Sequence, residues 1–324
     1  MNLAEAVERG DLDELVRLVD GLCSGREWER IVELRDRCRH AMERGLQLWP
    51  AAEYAEYRLA LEAPASFAGP VVVEGAGRFA LGPLWEVAAS AHTWSELGDH
   101  VPPGPARAMA AHERVLRGED LRGDDTVDAL VLEIPLALEP WEPEYPVATY
   151  RSDEADFPAP GLPPTGPAAP LRGSGEVVDR PFETEALLDP ARVWLEQSNG
   201  EARAVAVTGD APAALAALGV EAGSITPLDA ATALAWLAWA GASGGGHGRR
   251  RGGPAGRFAA WWAVCALAGV EWPPAGDEVA EAAGRLRWHR WSGPGGGNWE
   301  LRLAVEDAGR GLAWAVDAFD SAEA

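Results

Sequence analysis

Lysine is absent from this chain: every one of its 28 basic residues other than histidine is an arginine. With alanine, glycine and proline abundant beside them, that bias reads first as GC-rich coding and only second as function. Cysteine is scarce. Cys23, Cys38 and Cys265 are too few and too scattered for a disulfide framework. Cys23 and Cys38 fall in apolar helical patterns, where a free thiol behaves as a small hydrophobe. Long apolar runs are missing as well. The longest helical one, residues 230–242, falls short of the roughly 20 residues that a membrane span requires. The segment Met1 to Gly10 carries acids and no cationic flank ahead of an apolar block, the reverse of a signal peptide. A cytoplasmic location without membrane contact is the expectation. Positive charge is outnumbered, 28 basic residues against 51 acidic ones, for a net charge of −23. Such a surface repels nucleic-acid phosphates unless its arginines gather on one face, so nucleic acid ranks last among partner classes.

The usual signatures of chemistry are also missing. No Gly-Lys-Ser/Thr closes a phosphate-binding loop, and no Gly-x-Ser-x-Gly elbow presents a serine nucleophile. The six histidines, at positions 40, 92, 100, 112, 247 and 289, include no His-x3-His pair, and no cysteine or carboxylate set with ligand spacing accompanies His92 and His100. Neither metal nor cofactor is expected. Asp307, Asp317 and Asp320 sit near strand ends, but with 51 acidic residues that placement is expected by chance.

At 47% apolar composition, 324 residues can bury a substantial core and make two domains of ordinary size. Residues 1–138 read as mostly helical. Leu12, Leu15, Val16, Val19, Leu22 and Cys23 mark one helix face. Ser24 to Glu27 has capping-box spacing before a second stripe of Trp28, Ile31, Leu34, Cys38 and Ala41, which Pro50 would end. Tyr54, Tyr57 and Leu61 predict a third helix closed by Pro64. Thr93 to Glu96 is another capping box, and Pro105 opens a helix that stops at Gly118. Tetratricopeptide spacing fails from Trp28 onward, which leaves a bundle or an irregular solenoid.

Residues 139–174 change character. Pro140, Pro143, Pro146, Pro158, Pro160, Pro163, Pro164, Pro167 and Pro170, with acids between them, predict a linker or an extended wrap. Strand-like stretches lie at residues 131–138 and 147–150. Residues 175–324 are mixed. Ser198-Asn199-Gly200 between Arg192 to Glu196 and Ala204 to Val207 predicts a hairpin. Pro227 would occupy the first turn of a helix containing Leu234, Trp236 and Trp239, and residues 255–268 form another helix. Alternation in Leu286 to Trp291, Trp299 to Glu306 and Leu312 to Val316 predicts strands, the first two joined by a flexible glycine-rich loop, Ser292 to Asn298. The fold class is therefore α+β: a helical N-terminal domain followed by an α+β domain with a mainly antiparallel sheet.

One segment suggests a ligand. Gly244 to Gly253 holds His247, Arg249, Arg250 and Arg251, and Arg257 follows on the next helix. Glycines permit unusual backbone angles, helix N-termini offer free amides, and arginines bind phosphate or carboxylate in bidentate fashion. Arg250, Gly253 and Ala255 match an acetyl-coenzyme-A-binding spacing, yet a helix precedes them where that motif requires a strand. The plainer reading is a surface loop whose arginines pair with nearby carboxylates. Tryptophan is in excess, 15 residues; Trp236, Trp239, Trp261, Trp262, Trp288, Trp291, Trp299 and Trp314 are expected in the core, with any exposed member marking a partner site.

Three stretches carry a resemblance: Gly248 to Trp262, Leu301 to Asp307 with Gly311 to Asp317, and Arg58 to Pro64. They resemble an uncharacterised actinobacterial protein family with no established function, and the resemblance carries over no catalytic residue. Helix-pair patterning, the proline-rich segment and high acidity then favour a non-enzymatic interaction protein, with a protein partner that acidity would steer toward basic character. The alternative is a small-molecule binding protein or enzyme that holds an anion at residues 244–257.

Overall fold

The computed structural model describes residues 3–293, 295 and 297–322, and it divides into two compact units: residues 1–131 with 148–157, and residues 132–147 with 158–324.

The first unit is helical. Its elements are α1 (Leu3–Arg9), α2 (Leu12–Ser24), α3 (Trp28–Glu43), α4 (Trp49–Glu62), α5 (Ala65–Ala68), α6 (Leu84–Ala91), α7 (Trp94–Leu97) and α8 (Pro105–Leu116), followed by the short antiparallel pair β1 (Thr149–Tyr150) and β2 (Ala155–Asp156). Helix α4 is the hub, packed on α2, α3 and α6. Its buried Ala51, Ala52, Ala55 and Ala60 let neighbouring helices approach closely, with Leu59 filling the space between. Asp11 caps α2 by accepting the Glu14 N–H at 3.1 Å, and the Glu96 carboxylate accepts the Thr93 N–H at 3.0 Å ahead of α7.

Two expected helix boundaries are corrected. Ser24 is the last residue of α2 rather than a cap for α3, and Glu27 at the α3 N-cap makes no side-chain capping bond. Pro50 opens α4 rather than ending α3, because proline in the first turn forfeits no intrahelical bond.

The second unit is α+β. It contains β3 (Ala169–Pro170), α9 (Pro181–Leu188), α10 (Arg192–Gln197), β4 (Glu201–Thr208), α11 (Ala211–Ala217), β5 (Ala222–Leu228), α12 (Ala230–Ala242), α13 (Gly253–Ala268), α14 (Gly276–Arg285), β6 (Arg287–Ser292), β7 (Trp299–Asp307) and β8 (Leu312–Asp320). The strands make one antiparallel sheet in the order β3-β5-β6-β7-β8-β4. Register places Ala304, Ala313, Ala315, Val207 and Trp291 on one face, where they pack with Ala211, Ala214 and Leu215 of α11. Leu303, Val305, Trp314 and Val316 occupy the opposite face, and α9 and α12 also pack on the sheet. With cores on both sides, the central strands β7 and β8 are buried almost throughout. The outer edge of β4 is partly covered by residues 176–178, through Val178 N–H to the Ala206 carbonyl and Thr208 N–H to the Glu176 carbonyl.

The β6, β7 and β8 strands lie where alternation places them. The link between β6 and β7 includes positions 294 and 296, so its expected flexible loop falls partly outside the described residues. The hairpin at Ser198 to Gly200 does not form. Residues 192–197 are helical, and β4 pairs in full register with β8 instead. Pro227 lies in β5, and α12 begins at Ala230 with Asp229 accepting the Thr232 N–H at 2.6 Å. Residues 131–138 contain no strand, and Thr149 and Tyr150 pair only with β2.

Candidate functional site

Residues 243–252 join α12 to α13 and contain the Gly/Arg run. Gly245 and Gly252 adopt positive φ, 69° and 90°, which lets the Arg251 and Gly252 N–H groups both donate to the Ala242 carbonyl, at 2.8 and 3.2 Å. Side chains take other amides: Gly246 N–H donates to Asp320 Oδ2 at 2.6 Å, His247 N–H to Ser198 Oγ at 3.0 Å, and Arg249 N–H to Gln197 Oε1 at 3.3 Å. An anion-binding nest requires free amides aimed at a common centre, whereas these amides point at acceptors of the protein itself. The side chains are spread as well. His247 and Arg249 are exposed and Arg250 half-buried, while Arg251 reaches Asp189 Oδ2 at 3.6 Å.

Arg257, grouped with this loop in the sequence, belongs elsewhere. It is 0% exposed. Its Nε and one terminal nitrogen donate to the two oxygens of Glu142 at 2.8 and 2.6 Å, and its terminal nitrogens also reach the Pro135 and Ala137 carbonyls at 2.8 Å. Glu142 further accepts from Trp261 Nε1 at 2.9 Å, the Tyr145 hydroxyl at 2.8 Å and the Glu139 N–H at 2.9 Å. Burial alone would push the Glu142 carboxyl up; Arg257, the Glu139 amide and Trp261 together hold it below its ordinary value. Burial beside that carboxylate pushes the Tyr145 hydroxyl well up. Every charge here is matched, so the cluster fastens the proline-rich segment 135–145 to α13 and leaves nothing for a ligand.

The remaining titratable groups are mostly in structural use. Cys23, Cys38 and Cys265 are buried, and burial pushes their thiols up to about 11, 11 and 12, far from thiolate character at neutral pH. Asp307 accepts the Gly309 N–H and pairs with Arg310 at 2.8 Å, and Asp317 pairs with Arg302 at 3.0 Å and Arg203 at 2.9 Å. The His289 imidazole, pushed down by burial, lies 3.6 Å from Glu306. Among the described residues, no group of three His, Cys, Asp or Glu side chains is placed to hold a metal ion. Among the described residues, no helix is long and apolar enough to cross a membrane. Of the eight tryptophans expected in the core, Trp236, Trp261, Trp288, Trp291 and Trp314 are buried, and Trp239, Trp262 and Trp299 are half-buried.

The helical unit supplies a concave site. A pocket of about 310 Å³ is lined by Val16 of α2, by Trp49, Pro50, Glu53, Tyr54 and Tyr57 of α4, by Phe79, Ala80 and Leu81, and by Ser152 and Asp153. Trp49, Glu53 and Tyr57 recur every four residues, so one stripe of α4 makes the floor. Phe79 is 65% exposed and rests on Trp49, with ring centroids 4.2 Å apart. Its N–H donates to Glu53 Oε2 at 2.8 Å, which holds this exposed ring over the helix. The tyrosine hydroxyls are committed: Tyr54 donates to Asp20 at 2.7 Å and accepts from Arg58 at 2.7 Å, and Tyr57 donates to the Arg151 carbonyl. The charged lining residues are Glu53 and Asp153, both acidic.

Tyr54 and Tyr57 were visible in the sequence as apolar positions of a helix. Phe79 to Leu81 sit in a glycine-bearing stretch without periodicity, and Ser152 and Asp153 are distant in sequence. No local signal could have assembled them.

Fold and site together define a two-unit protein, helical then α+β, whose helical unit bears an aromatic, acid-edged pocket. Residues 5–321 match DUF6183, a family of unknown function, and the chain belongs to it. Neither the curated proteins nor the solved structures include a match to the chain.

Proposed function

We propose that this protein is a cytoplasmic adaptor or accessory protein without catalytic activity, which acts by binding a basic protein partner through its helical unit. The observation that carries this reading is the pocket over α4. It combines exposed aromatic surface at Phe79, a partly open floor at Trp49, and two carboxylates with no basic side chain in its lining. Tryptophan and tyrosine are enriched among the energetic anchors of protein interfaces, and phenylalanine with them in interface cores. A net charge of −23 adds long-range attraction for a basic partner and raises its association rate.

The anion-binding reading of the Gly/Arg loop has less support. Arg257 is sealed in the core, Arg251 pairs with Asp189, and the loop amides are engaged internally.

The test uses the full chain as bait, with Phe79→Ala as the matched control. A protein captured by the parent is purified and titrated directly. The expected outcome is binding that weakens as salt rises and falls at least about tenfold with Phe79→Ala, the loss of one interface anchor. Capture that is indifferent to Phe79, or no direct binder at all, refutes the reading.

A further inference from the structure

We infer that the pocket over α4 is built for a trimethylammonium group rather than for a protonated amine or a guanidinium. The inference rests on the reading of this pocket as the docking point and names the chemistry that the point accepts.

Three observations carry it. First, the lining is mainly aromatic and aliphatic, with Trp49, Tyr54, Tyr57 and Phe79 together in one pocket of about 310 Å³. The faces of aromatic rings attract cations through the ring quadrupole, and quaternary ammonium groups are the cations best served by several rings at once. Second, the charged side chains in the lining are Glu53 and Asp153, so the local field favours a cation. Arg58 lies over the Tyr54 ring, 5.5 Å from its centroid, and is neutralised there by ion pairs with Asp20 and Glu62.

Third, the tyrosine hydroxyls inside and one carboxylate oxygen are already used. The Tyr54 hydroxyl is bonded to Asp20 and Arg58, the Tyr57 hydroxyl to the Arg151 carbonyl, and one Glu53 oxygen to the Phe79 N–H. An ammonium or guanidinium entering the pocket surrenders water bonds from each N–H and regains those that the remaining oxygens of Glu53 and Asp153 accept, while N–H groups turned toward the rings go unpaired, which is costly for a charged donor. A trimethylammonium group has no N–H to satisfy. It exchanges weakly held water for ring faces and methyl contacts while its charge remains within reach of Glu53 and Asp153.

The size agrees. About 310 Å³ is at the lower end of the roughly 300–1,000 Å³ that small-molecule sites span, which suits one head group and a short stem. The same head group occurs free, as in choline-like metabolites, and on protein, as trimethylated lysine.

The experiment titrates the full chain with three probes on one skeleton: choline, its neutral isostere 3,3-dimethyl-1-butanol, and ethanolamine. Binding is read by saturation-transfer NMR and calorimetry. Choline is expected to bind at least about tenfold more tightly than either of the others, the neutral probe lacking the charge and ethanolamine the methyl groups. Phe79→Ala, at a position 65% exposed, is expected to lower choline affinity about fivefold or more while thermal unfolding of the chain stays cooperative. Asp153→Asn is expected to lower it less, and Phe182→Ala in the α+β unit not at all.

A second arm compares a basic peptide carrying one trimethyllysine with its unmethylated form. A preference for the methylated peptide assigns the head group to protein, and choline binding without that preference assigns it to a free metabolite; each supports the inference. Equal binding of choline and its neutral isostere reduces the pocket to an apolar cleft and overturns it. So does equal or tighter binding of ethanolamine, or the absence of binding by choline and by both peptides. If the probes fail while a captured basic protein still depends on Phe79, the head-group assignment falls and the partner reading stands.

Discussion

Replacing Arg257 by methionine removes a guanidinium from the interior of the α+β unit while keeping most of the side chain's length. What remains is the Glu142 carboxylate with three donors, from Trp261, Tyr145 and the Glu139 N–H, and two carbonyls, at Pro135 and Ala137, without their charged donor. Breaking a buried ion pair by removing one member costs about 3–5 kcal/mol, mostly through the charge left behind. A single domain holds about 5–15 kcal/mol in total, so the variant should still fold, with residues 135–145 loosened first. Urea unfolding at pH 7 measures the loss, and amide exchange over residues 132–147 locates it. The double variant Arg257→Met/Glu142→Leu, which leaves no orphaned charge, should cost less than the two single variants added together, by at least about 2 kcal/mol.

Acidity supplies an independent check on the same pair. The Glu142 carboxyl is held below its ordinary value in the folded chain, so its stabilisation is complete above the unfolded carboxylate range and is lost as pH falls through the folded value. In Arg257→Met, burial acts on that carboxyl without the cation, which raises its pKa and lets acid neutralise it. The gap between parent and variant should therefore narrow between pH 7 and pH 4. A loss under about 1 kcal/mol at pH 7, the scale of a solvent-exposed pair, or strict additivity in the double variant, would refute the reasoning.

Gly256 in α13 faces the backbone of α12, and a Cβ there would lie 2.0 Å from the Ala238 carbonyl oxygen. Gly256→Ala must push the two helices apart, at about 1–3 kcal/mol in thermal or urea unfolding. Gly284→Ala, at an exposed position of α14 with nothing near the new methyl, should instead stabilise by roughly 0.4–1 kcal/mol. Asp229→Ala removes the cap of α12 and should cost about 1 kcal/mol by the same measurement. A thiol reagent at pH 8 should label none of Cys23, Cys38 and Cys265 in the folded chain and all of them in urea, since all are buried with thiols pushed up to about 11, 11 and 12. Rapid labelling under folding conditions would contradict the burial.

Local pattern was enough for α2, the Thr93 box ahead of α7, α8 and the strands β6 to β8. Each has a period, a cap or a turn within a dozen residues that agrees with its final environment. It misled where a tertiary partner had the casting vote. Asn199-Gly200 favours a hairpin, yet β4 finds eight residues of register with β8, a strand more than a hundred residues away, and Trp194 is buried from a helix instead. Pro227 opens helices in isolation. Here residues 224–228 pair with β6, and Asp229 takes the capping role two residues later. The candidate sites divide in the same way. Arg257 follows the arginine run closely in sequence, but the run stays in the loop ahead of α13 while Arg257 lies inside the helix, on a face turned into the core.

Sequence by itself determined the charge, the exclusion of familiar catalytic motifs, the helical first unit and the antiparallel core of the second, because composition and periodicity act over short distances. Tertiary structure alone decided that Glu142 meets Arg257, that the glycine-rich loop satisfies its own amides, and that Trp49, Phe79 and Asp153 share one pocket. Those outcomes depend on which distant surfaces can be buried together with every polar group matched, and no stretch of neighbouring residues contains that information.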